Sequence, residues 1–454
     1  MILEITGIGT EMEGVGRTED GQVVFVPQAI PGELVDIDIV RRSGGVLHGQ
    51  IKEILRVSPD RMKPLCPLYG RCGGCKTQHM SYNLSLEMKR QVVAQQIERI
   101  GKQKNVCVYP TEASPRPWKY RNKGEFAVAT DGRTGATSVG VFEGRTHTVL
   151  PMEDCLLHDD LSTRALRVVN KWMHAYCVPA YDTPGAGGGI RYVVTRVSRS
   201  GGLMLILSTT TRRLRGLDPL MSMLASEFGE KIHSLYQIVL KERPVDAFDG
   251  RCMLLAGKRV LLDRLAGMSF EISPRTFFQV NLVQTDTLYE YVREAAALTG
   301  KELVVDAYCG CGTISLALAR DAARVVGVEL NEGAIDDARE NANRNRLWQK
   351  TEFYAGDAGV KVSELVDKGM RPDVLVVDPP RKGIDERLLS AVKRGKIQRV
   401  VYVSCNPGTM ARDILSLTEN GEYRLDYVKP VDMFSQTEHV ECVARLTRVE
   451  NPEN

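Results

Sequence analysis

Strand–helix alternation over residues 266–454 constrains the fold of this chain more than any other feature. The runs Leu303–Asp306, Val325–Val328 and Val374–Val377 are apolar and β-prone, and Ile314–Arg320 begins a helix after the first of them. Parallel strands need a crossover connection, usually a helix, so such alternation builds a sheet covered on both faces. The sequence therefore predicts a doubly wound, Rossmann-like α/β domain at this end of the chain.

The turn after the first of these strands has the composition of a ligand site. In Ala307-Tyr308-Cys309-Gly310-Cys311-Gly312-Thr313, a glycine such as Gly310 lets the backbone approach a bound group closely. Glu329 ends the next strand, about twenty residues after Asp306, where an acid commonly binds ribose hydroxyls. Ser315 replaces the third glycine of the strict motif, so the turn alone is weak evidence. Together with the two acids it predicts a nucleoside-containing cofactor.

Two further strand ends and the approach to a final strand carry reactive side chains. Asp378 precedes two prolines that prevent it from entering a helix, so its carboxylate stays at the carboxyl edge of the sheet. Cys405 follows the run Val401–Ser404 and precedes Asn-Pro-Gly, which predicts a turn. Such a cysteine is either a buried packing residue or a nucleophile. The segment Glu438-His439-Val440-Glu441 leads into a final strand, Val443–Val449.

A thiol, a carboxylate base and a cofactor site at one sheet edge are the requirements of covalent catalysis on a pyrimidine. Uracil C5 is a poor nucleophile until a thiolate adds to C6. The ring then accepts a methyl group at C5, and a base removes the C5 proton so that the thiol can leave. Within the sequence, Cys405 is the candidate thiol, and Glu441 or Glu438 is the candidate base.

Residues 1–55 predict a small β-barrel. Gln22–Pro27, Glu33–Val40 and His48–Leu55 are β-prone runs separated by Pro-Gly and Gly-Gly turns. Five-stranded OB-like barrels of this size often bind nucleic acid. A barrel whose charges are merely solvated is the alternative interpretation.

Four of the 11 cysteines are candidate metal ligands. Cys66, Cys72 and Cys75 share one glycine-rich loop, and Cys155 lies far along the chain. Four thiolates suit either zinc or an iron–sulfur cluster. Zinc sites usually show two C-x-x-C pairs, and only Cys72 and Cys75 form one here, which favours the cluster.

Residues 56–265 predict a mixed α+β central domain with helices near 83–101, capped by Ser85, and over Leu161–Ala175. Within it, basic and aromatic residues interleave from Arg116 to Lys123. Cations that bind phosphates beside rings that stack on bases are typical of single-stranded RNA binders. Arg121 and Lys123 are therefore candidate RNA contacts, although a strand with a solvated basic face is the alternative.

No apolar run is long enough to span a bilayer, and Met1-Ile2-Leu3-Glu4 does not resemble a signal peptide. We expect a cytoplasmic protein without a membrane partner, whose thiols stay reduced. The net charge is only +3, so any RNA-binding surface must be a local patch.

Over nearly its whole length the chain resembles the RNA (uracil-5-)-methyltransferase family, and within it the bacterial 23S ribosomal RNA branch. The segments that carry the resemblance are the TRAM-like barrel, the four cysteines, Ser273–Asn281, Asp306–Thr313, Asp378–Arg381 and Ser404–Pro407. Since the tRNA-modifying branch is expected to lack the barrel and the cysteines, their presence favours ribosomal RNA as the substrate.

The resemblance implies a role for each candidate residue. Cys405 would be the nucleophile and Glu441 the base. The site for S-adenosylmethionine would comprise Gln279, Tyr308, Glu329, Asp378, Asp306 and Gly310. Asp378 is a candidate for the uracil edge as well. Cys66, Cys72, Cys75 and Cys155 would hold a structural [4Fe-4S] cluster, and we expect a monomer.

Two other classes of function are open to such a chain. An amino-group methyltransferase would place an aromatic residue where Arg381 follows Asp-Pro-Pro, and it would not need a thiol. An iron–sulfur RNA-binding assembly factor would need no turnover. The same chemistry on tRNA is the alternative within the family.

Overall fold

The computed structural model describes residues 1–144, 146–183, 185 and 187–449. The first five strands close into a barrel of order β1-β2-β3-β5-β4, which confirms the predicted β-barrel. They are β1 (Ile2–Ile8), β2 (Gly14–Arg17), β3 (Val23–Val26), β4 (Leu34–Ser43) and β5 (Val46–Arg56). Alternate residues such as Leu3, Ile5, Val24 and Val26 fill the interior, because successive side chains of a strand point to opposite faces.

Helix α1 (Tyr82–Arg99) and the short strand β6 (Cys107–Val108) follow the barrel. Ser81 is the N-cap of α1, since its side chain accepts a hydrogen bond from the backbone N–H of Leu84 at 3.1 Å. The expectation that Ser85 caps this helix is therefore wrong; Ser85 lies inside its first turn, buried.

A seven-stranded sheet of order β13-β12-β11-β10-β7-β8-β9 forms the central region. Its strands are β7 (Lys123–Thr130), β8 (Thr137–Phe142), β9 (Val149–Pro151), β10 (Ile190–Val197), β11 (Leu203–Thr209), β12 (Ile232–Leu240) and β13 (Gly250–Gly257). Helices α2 (Asp160–Ala175) and α3 (Leu217–Phe228) pack on one face of it. The helix predicted over Leu161–Ala175 is confirmed by α2.

The C-terminal region contains an eight-stranded sheet of order β18-β17-β16-β19-β20-β22-β21-β6. A hairpin of β14 (Leu261–Leu265) and β15 (Met268–Ile272) precedes it. The elements that follow are α4 (Leu282–Ala296), β16 (Leu303–Ala307), α5 (Thr313–Ala319), β17 (Arg324–Glu329), α6 (Glu332–Arg344), β18 (Thr351–Ala355), α7 (Ala358–Asp367), β19 (Val374–Val377), α8 (Glu386–Arg394), β20 (Arg399–Ser404), α9 (Pro407–Thr418), β21 (Tyr423–Val431) and β22 (Glu441–Arg448).

Strands β16 to β20 of this sheet are parallel and buried on both faces, as the predicted doubly wound domain requires. Strand β22 runs antiparallel between β20 and β21. Apolar residues on the two faces form two separate cores, which explains why the strands read as continuous runs of valine and leucine.

Two elements of the predicted central domain pack on this last sheet. Strand β6 pairs with β21 at its edge, with Cys107 opposite Tyr427. Val93 and Ile97 of α1 lie in the core beneath the same edge. Helix α1 and strand β6 lie within residues 56–265 of the sequence, but they pack on the C-terminal sheet. Among the described residues, no helix is both long and apolar enough to cross a membrane.

Candidate active site

The candidate catalytic and cofactor residues meet at one edge of the C-terminal sheet. Adjacent strands β17, β16, β19 and β20 are parallel, so their carboxyl ends share this edge. Glu329, Asp306, Asp378 and Cys405 stand at or just beyond those ends. Ser404 lies opposite Cys442 in the antiparallel pair of β20 and β22, which brings Glu441, the first residue of β22, beside Cys405.

The turn after β16 is shaped by left-handed backbone conformations. Tyr308 has φ +71° and Gly310 has φ +54°. The backbone N–H groups of Tyr308 and Cys309 both donate to the carbonyl of Val328, at 2.9 and 3.0 Å, and that of Gly310 donates to Oε2 of Glu329 at 3.2 Å. A Cβ added at Gly310 would meet open space. The turn therefore exposes a stretch of backbone to a ligand and orients Glu329 at the same time.

Asp306 is a buried carboxylate with one unused oxygen. Its Oδ2 accepts a hydrogen bond from the Ser315 hydroxyl at 2.5 Å, while Oδ1 is buried without a hydrogen-bond partner in the described part of the chain. Burial raises the pKa of Asp306 to about 7. An orphaned acceptor of this kind fits a site for a hydrogen-bond donor of a bound cofactor. The serine that replaces the third glycine of the motif thus has a structural role that the sequence analysis missed.

Gln279 stands on a segment that other regions hold in place. The side-chain amide of Asn122 donates to the carbonyl of Gln279 at 3.0 Å, and Asn281 donates to the carbonyl of Met433 at 3.1 Å. The Cys311 thiol contacts the carbonyl of Phe277 at 3.6 Å, which ties the segment to the β16 turn. The segment that carries Gln279 therefore contacts this turn through Phe277, and the role of Gln279 at a cofactor site remains a prediction.

The Cys405 thiol is half-buried and electrostatically suppressed. Burial, followed by the nearby carboxylates of Glu441 and Asp378, raises the pKa of Cys405 to about 11, and the Arg381 guanidinium opposes this shift. A thiol with this pKa is almost entirely protonated at neutral pH. The environment in the free protein therefore favours the thiol form of Cys405 over the thiolate.

The charges of the Glu441 and Asp378 carboxyl groups interact at this edge of the sheet. Glu441 is 6% exposed and its Oε2 has no hydrogen-bond partner among the described residues. Burial and the charge of Asp378 raise the pKa of Glu441 well above its usual value. Burial raises the pKa of Asp378 to about 7, although the residue keeps some solvent exposure. A carboxylate with a raised pKa is a stronger base, which suits proton abstraction near neutral pH.

Asn406 fixes the segment that carries the thiol. Its Oδ1 accepts hydrogen bonds from the backbone of Gly408 at 3.1 Å and of Thr409 at 3.3 Å, which caps α9, and its Nδ2 donates to the carbonyl of Arg381 at 3.0 Å. Pro407 occupies the first helical turn, where its missing N–H costs nothing. The Asn-Pro-Gly sequence therefore begins a helix directly, instead of the predicted turn.

The alternative base, Glu438, lies against a different partner. Its carboxylate is 3.7 Å from Nε2 of His439, which in turn is 3.4 Å from the Arg381 guanidinium. Burial lowers the pKa of His439. Glu438 is not among the carboxylates whose charge acts on Cys405, whereas Glu441 is.

The four candidate cluster cysteines line one cavity of about 470 Å³, although Cys155 is remote in sequence. Cys72 accepts a backbone N–H from Gly74 at 3.3 Å. Burial, and the proximity of the other thiols, raise the pKa of Cys75 to about 12. The structure thus brings together the thiols that the sequence grouped.

Zinc and an iron–sulfur cluster are the two centres that four thiolates suit. Within the described residues, no group of three or more His, Cys, Asp or Glu side chains is arranged to hold one metal ion. The four thiols line one cavity, and a metal centre bound by them remains a prediction.

Both candidate RNA contacts line this cavity instead of standing on open surface. Lys123 forms an ion pair with Glu125 at 2.6 Å and lies over the Phe248 ring at 4.8 Å, and burial lowers its pKa. Nε of Arg121 is buried without a hydrogen-bond partner in the described residues. Their assignment to RNA remains a prediction.

The cysteine loop is joined to the segment that precedes Glu441. The backbone N–H of Lys76 donates to the carbonyl of Gln436 at 2.8 Å, and the Tyr120 hydroxyl donates to that of Ser435 at 3.0 Å. Lys89 of α1 forms a fully buried ion pair with Asp432 at 2.5 Å. These contacts fix the approach of the chain to β22.

The sheet order, the turn after β16 and the acids at three strand ends define a methyltransferase of the S-adenosylmethionine-dependent class. A model for a methyltransferase domain matches residues 304–370, one for the TRAM domain matches residues 2–52, and one for tRNA (uracil-5-)-methyltransferase matches residues 357–449.

Curated relatives cover almost the entire chain. An uncharacterized RNA methyltransferase of Listeria monocytogenes is 40% identical over 98% of this chain and 96% of its own length. A second, from Halalkalibacterium halodurans, is 38% identical over 98% and 96%. The chain belongs to the RNA (uracil-5-)-methyltransferase family.

One similar solved structure is the tRNA (uracil-54, C5)-methyltransferase of Pyrococcus abyssi in complex with S-adenosyl-L-homocysteine. It is 27% identical, with a TM-score of 0.77, and the match covers 98% of this chain and 100% of that one. Because a tRNA enzyme aligns with nearly the whole chain, the barrel does not distinguish ribosomal RNA from tRNA substrates. The choice between ribosomal RNA and tRNA as the substrate therefore remains a prediction.

Proposed function

We propose that this protein methylates C5 of a specific uridine in 23S ribosomal RNA through a covalent adduct between Cys405 and uracil C6. The observation that carries the proposal is the position of Glu441, a buried carboxyl of raised pKa, beside Cys405 at the cofactor edge of the sheet. A thiol and a strong carboxylate base side by side meet the two chemical demands of C5 substitution.

In the proposed reaction the Cys405 sulfur adds to C6, which makes C5 nucleophilic. After C5 has gained its methyl group, Glu441 removes the C5 proton and the C6–S bond breaks, so that the thiol is regenerated. Arg381 is the cation that favours the thiolate over the thiol at this site. Asp378 can contact the uracil edge, the cofactor or both.

The residues at the sheet edge fit S-adenosylmethionine, which would supply the methyl group as a sulfonium. Glu329 stands where ribose hydroxyls are usually bound, and the unpaired Oδ1 of Asp306 can accept a hydrogen bond from the cofactor. Gly310 and Tyr308 belong to the turn whose backbone the cofactor would contact, and Gln279 would contact the cofactor from the neighbouring segment. Asp378 completes this set at the end of β19.

For the cysteine cavity we propose a [4Fe-4S] cluster held by Cys66, Cys72, Cys75 and Cys155. The cavity volume and the four thiols support this assignment. The cluster has a structural role in this scheme, because its loop is hydrogen-bonded to the segment that leads to Glu441.

The proposed division of labour follows chain order. Residues 1–55 bind RNA, residues 56–265 carry the cluster with Arg121 and Lys123 beside it, and residues 266–454 perform methyl transfer. The target uridine must leave its stack to reach Cys405. A ribosomal RNA substrate implies that the protein works in the cytoplasm, and we propose that it does so as a monomer.

The test is transfer of a labelled methyl group to unmodified 23S rRNA, followed by nucleoside analysis for 5-methyluridine. Cys405→Ala should abolish transfer while RNA binding persists, and Cys107→Ala, an exposed cysteine on β6, should retain full activity. Glu441→Gln should accumulate an RNA adduct that survives a denaturing gel, and adding Cys405→Ala should remove it. Continued methylation by Cys405→Ala would exclude the mechanism.

The second candidate substrate is tRNA, which the Pyrococcus abyssi structure favours. The same assay with unmodified tRNA separates the two substrates. Methylation of tRNA alone would overturn the ribosomal assignment and leave the chemistry intact. A protein that binds either RNA without any transfer would be an assembly factor, and the enzymatic proposal would be wrong.

A further inference from the structure

A basic groove runs between α2 and α3, on the face of the central sheet that is turned away from the active site. Val193 and Leu205 of this sheet pack with α2 and α3, whereas Val194 and Ile206 belong to the core shared with the methyltransferase domain. The sheet therefore separates the groove from the site at β16–β22.

The two helices run antiparallel. Near the start of α2, Arg164 pairs with Glu227 at the end of α3 at 2.8 Å. Near the end of α2, Nε1 of Trp172 donates to the carbonyl of Gly216, just before α3, at 2.6 Å. The groove between them has a volume of about 600 Å³. Its lining includes Arg164, Arg167, Val168, Lys171, Ser222 and Ser226.

The α2 wall presents three cations, of which Arg164 has internal partners. Arg164, Arg167 and Lys171 are spaced i, i+3 and i+7, so they lie on one face of the helix. Glu227 and the Phe228 ring, 5.2 Å away, hold Arg164. Arg167 and Lys171 are exposed and form no ion pair or side-chain hydrogen bond within residues 1–144, 146–183, 185 and 187–449. Their mutual repulsion would be relieved by an anionic ligand.

The loop before α3 extends the same charge. Arg212, Arg213 and Arg215 are exposed, and their side chains likewise have no ion-pair partner in the described residues. The Trp172–Gly216 hydrogen bond attaches this loop to the end of α2. In a chain whose net charge is only +3, five exposed cations without an ion-pair partner, on α2 and on the loop bonded to its end, are a local excess.

We propose that this surface, the α2 basic groove (Arg164, Arg167, Lys171, Ser222, Ser226 and residues 212–215), binds the phosphodiester backbone of the RNA substrate at a segment remote from the target uridine. Cations in a row with hydroxyls on the facing wall match repeated phosphates and need no base contact. Only Val168 and Met223 add partly exposed apolar surface, which disfavours a hydrophobic partner.

The proposal rests on the proposed RNA substrate and extends it. A sheet and a helix layer of about 10 Å each separate the groove from the catalytic domain, so the bound segment lies roughly 20 Å or more from the uridine. The substrate must then be larger than a minimal stem-loop, and the groove should affect binding of long RNA only.

The test compares the variant Arg167→Gln/Lys171→Gln with wild type on a long RNA and on a short stem-loop that contain the same uridine. Affinity is measured as a function of salt. Two lost phosphate contacts should reduce the slope of log K against log salt by about 1.5 for the long RNA, since each contact contributes roughly 0.7–0.9. For the stem-loop, affinity and kcat should be unchanged.

The matched control is Lys301→Gln/Lys368→Gln, which removes the same charge from exposed lysines at the opposite, amino edge of the catalytic sheet. The second test pair, Arg213→Gln/Arg215→Gln, guards against a folding defect in the first, and circular dichroism checks both. Long-RNA binding equal to that of the control in both test pairs would overturn the proposal, as would an equal loss on the stem-loop. Binding is read independently of methyl transfer, so a failure of the proposed chemistry is a separate result.

Discussion

Replacing Glu441 by Gln should make the Cys405 thiol more reactive in the free protein. The Glu441 carboxylate is the largest charge that raises the pKa of Cys405, after burial itself. Gln keeps the size of the side chain and removes the charge. The pKa of Cys405 should therefore fall from about 11 toward the ordinary value of 9.0.

The size of the effect follows from the thiolate fraction. At pH 8 a thiol with a pKa of 9.0 is about 10% ionised, and one with a pKa of about 11 is about 0.1% ionised, a hundredfold difference. Part of the shift comes from burial, which Gln does not remove, and solvent screens the half-exposed thiol. We therefore expect alkylation of Cys405 at pH 8 to be about tenfold faster in Glu441→Gln than in wild type.

The assay is alkylation by iodoacetamide from pH 7 to pH 11, with Cys405 quantified by peptide mass spectrometry. Urea-unfolded protein provides the unshifted reference. The control is Glu438→Gln, because that carboxylate lies 3.7 Å from Nε2 of His439 and is not among the main charges that shift the pKa of Cys405. Equal rates in the two variants, or slower labelling in Glu441→Gln, would refute the electrostatic account of the site.

Three further outcomes are expected from unfolding in urea. Burial raises the pKa of Asp306 from 3.8 to about 7, so the free energy of unfolding of wild type should fall between pH 4 and pH 7. Asp306→Asn should be more stable than wild type by up to about 4 kcal/mol at pH 8, and the two should be equally stable at pH 4. Lys89→Met should cost about 3–5 kcal/mol by leaving Asp432 uncompensated, and Lys89→Met/Asp432→Asn should recover most of that loss; no recovery would contradict the ion-pair account. Asn406→Ala should cost about 1 kcal/mol through loss of the α9 cap, and unchanged stability would exclude the capping role.

The residues at the carboxyl edge of the sheet could be predicted from the sequence because each is marked by its immediate neighbours in the chain. Each of Asp306, Glu329, Asp378 and Cys405 follows an apolar run, and parallel strands place their carboxyl ends together whatever the rest of the chain does. The barrel and helix α2 could likewise be predicted, because their apolar residues recur at short, regular intervals in the sequence.

Other features depend on partners far away in the chain. Lys123 lies over the ring of Phe248, which is far away in the chain, and no local pattern shows this contact. Strand β6 has two residues, too few for a periodic signal, and becomes a strand only through β21. Both Ser81 and Ser85 are residues that can cap a helix. The cap is Ser81 because its backbone is extended, and residue type alone does not reveal the backbone angles.

The pairing of β6 with β21 also affects the order in which the molecule can be assembled during translation. Roughly 300 residues separate the two strands, so at about 5–20 residues per second the ribosome needs roughly 15–60 s to supply the second after the first. Throughout that interval Val93 and Ile97 of α1 lack the apolar residues of the C-terminal sheet against which they pack in the folded protein. The nascent chain must keep this apolar stripe from aggregating, and a ribosome-profiling or chaperone-capture experiment should find α1 protected until residues 423–431 emerge.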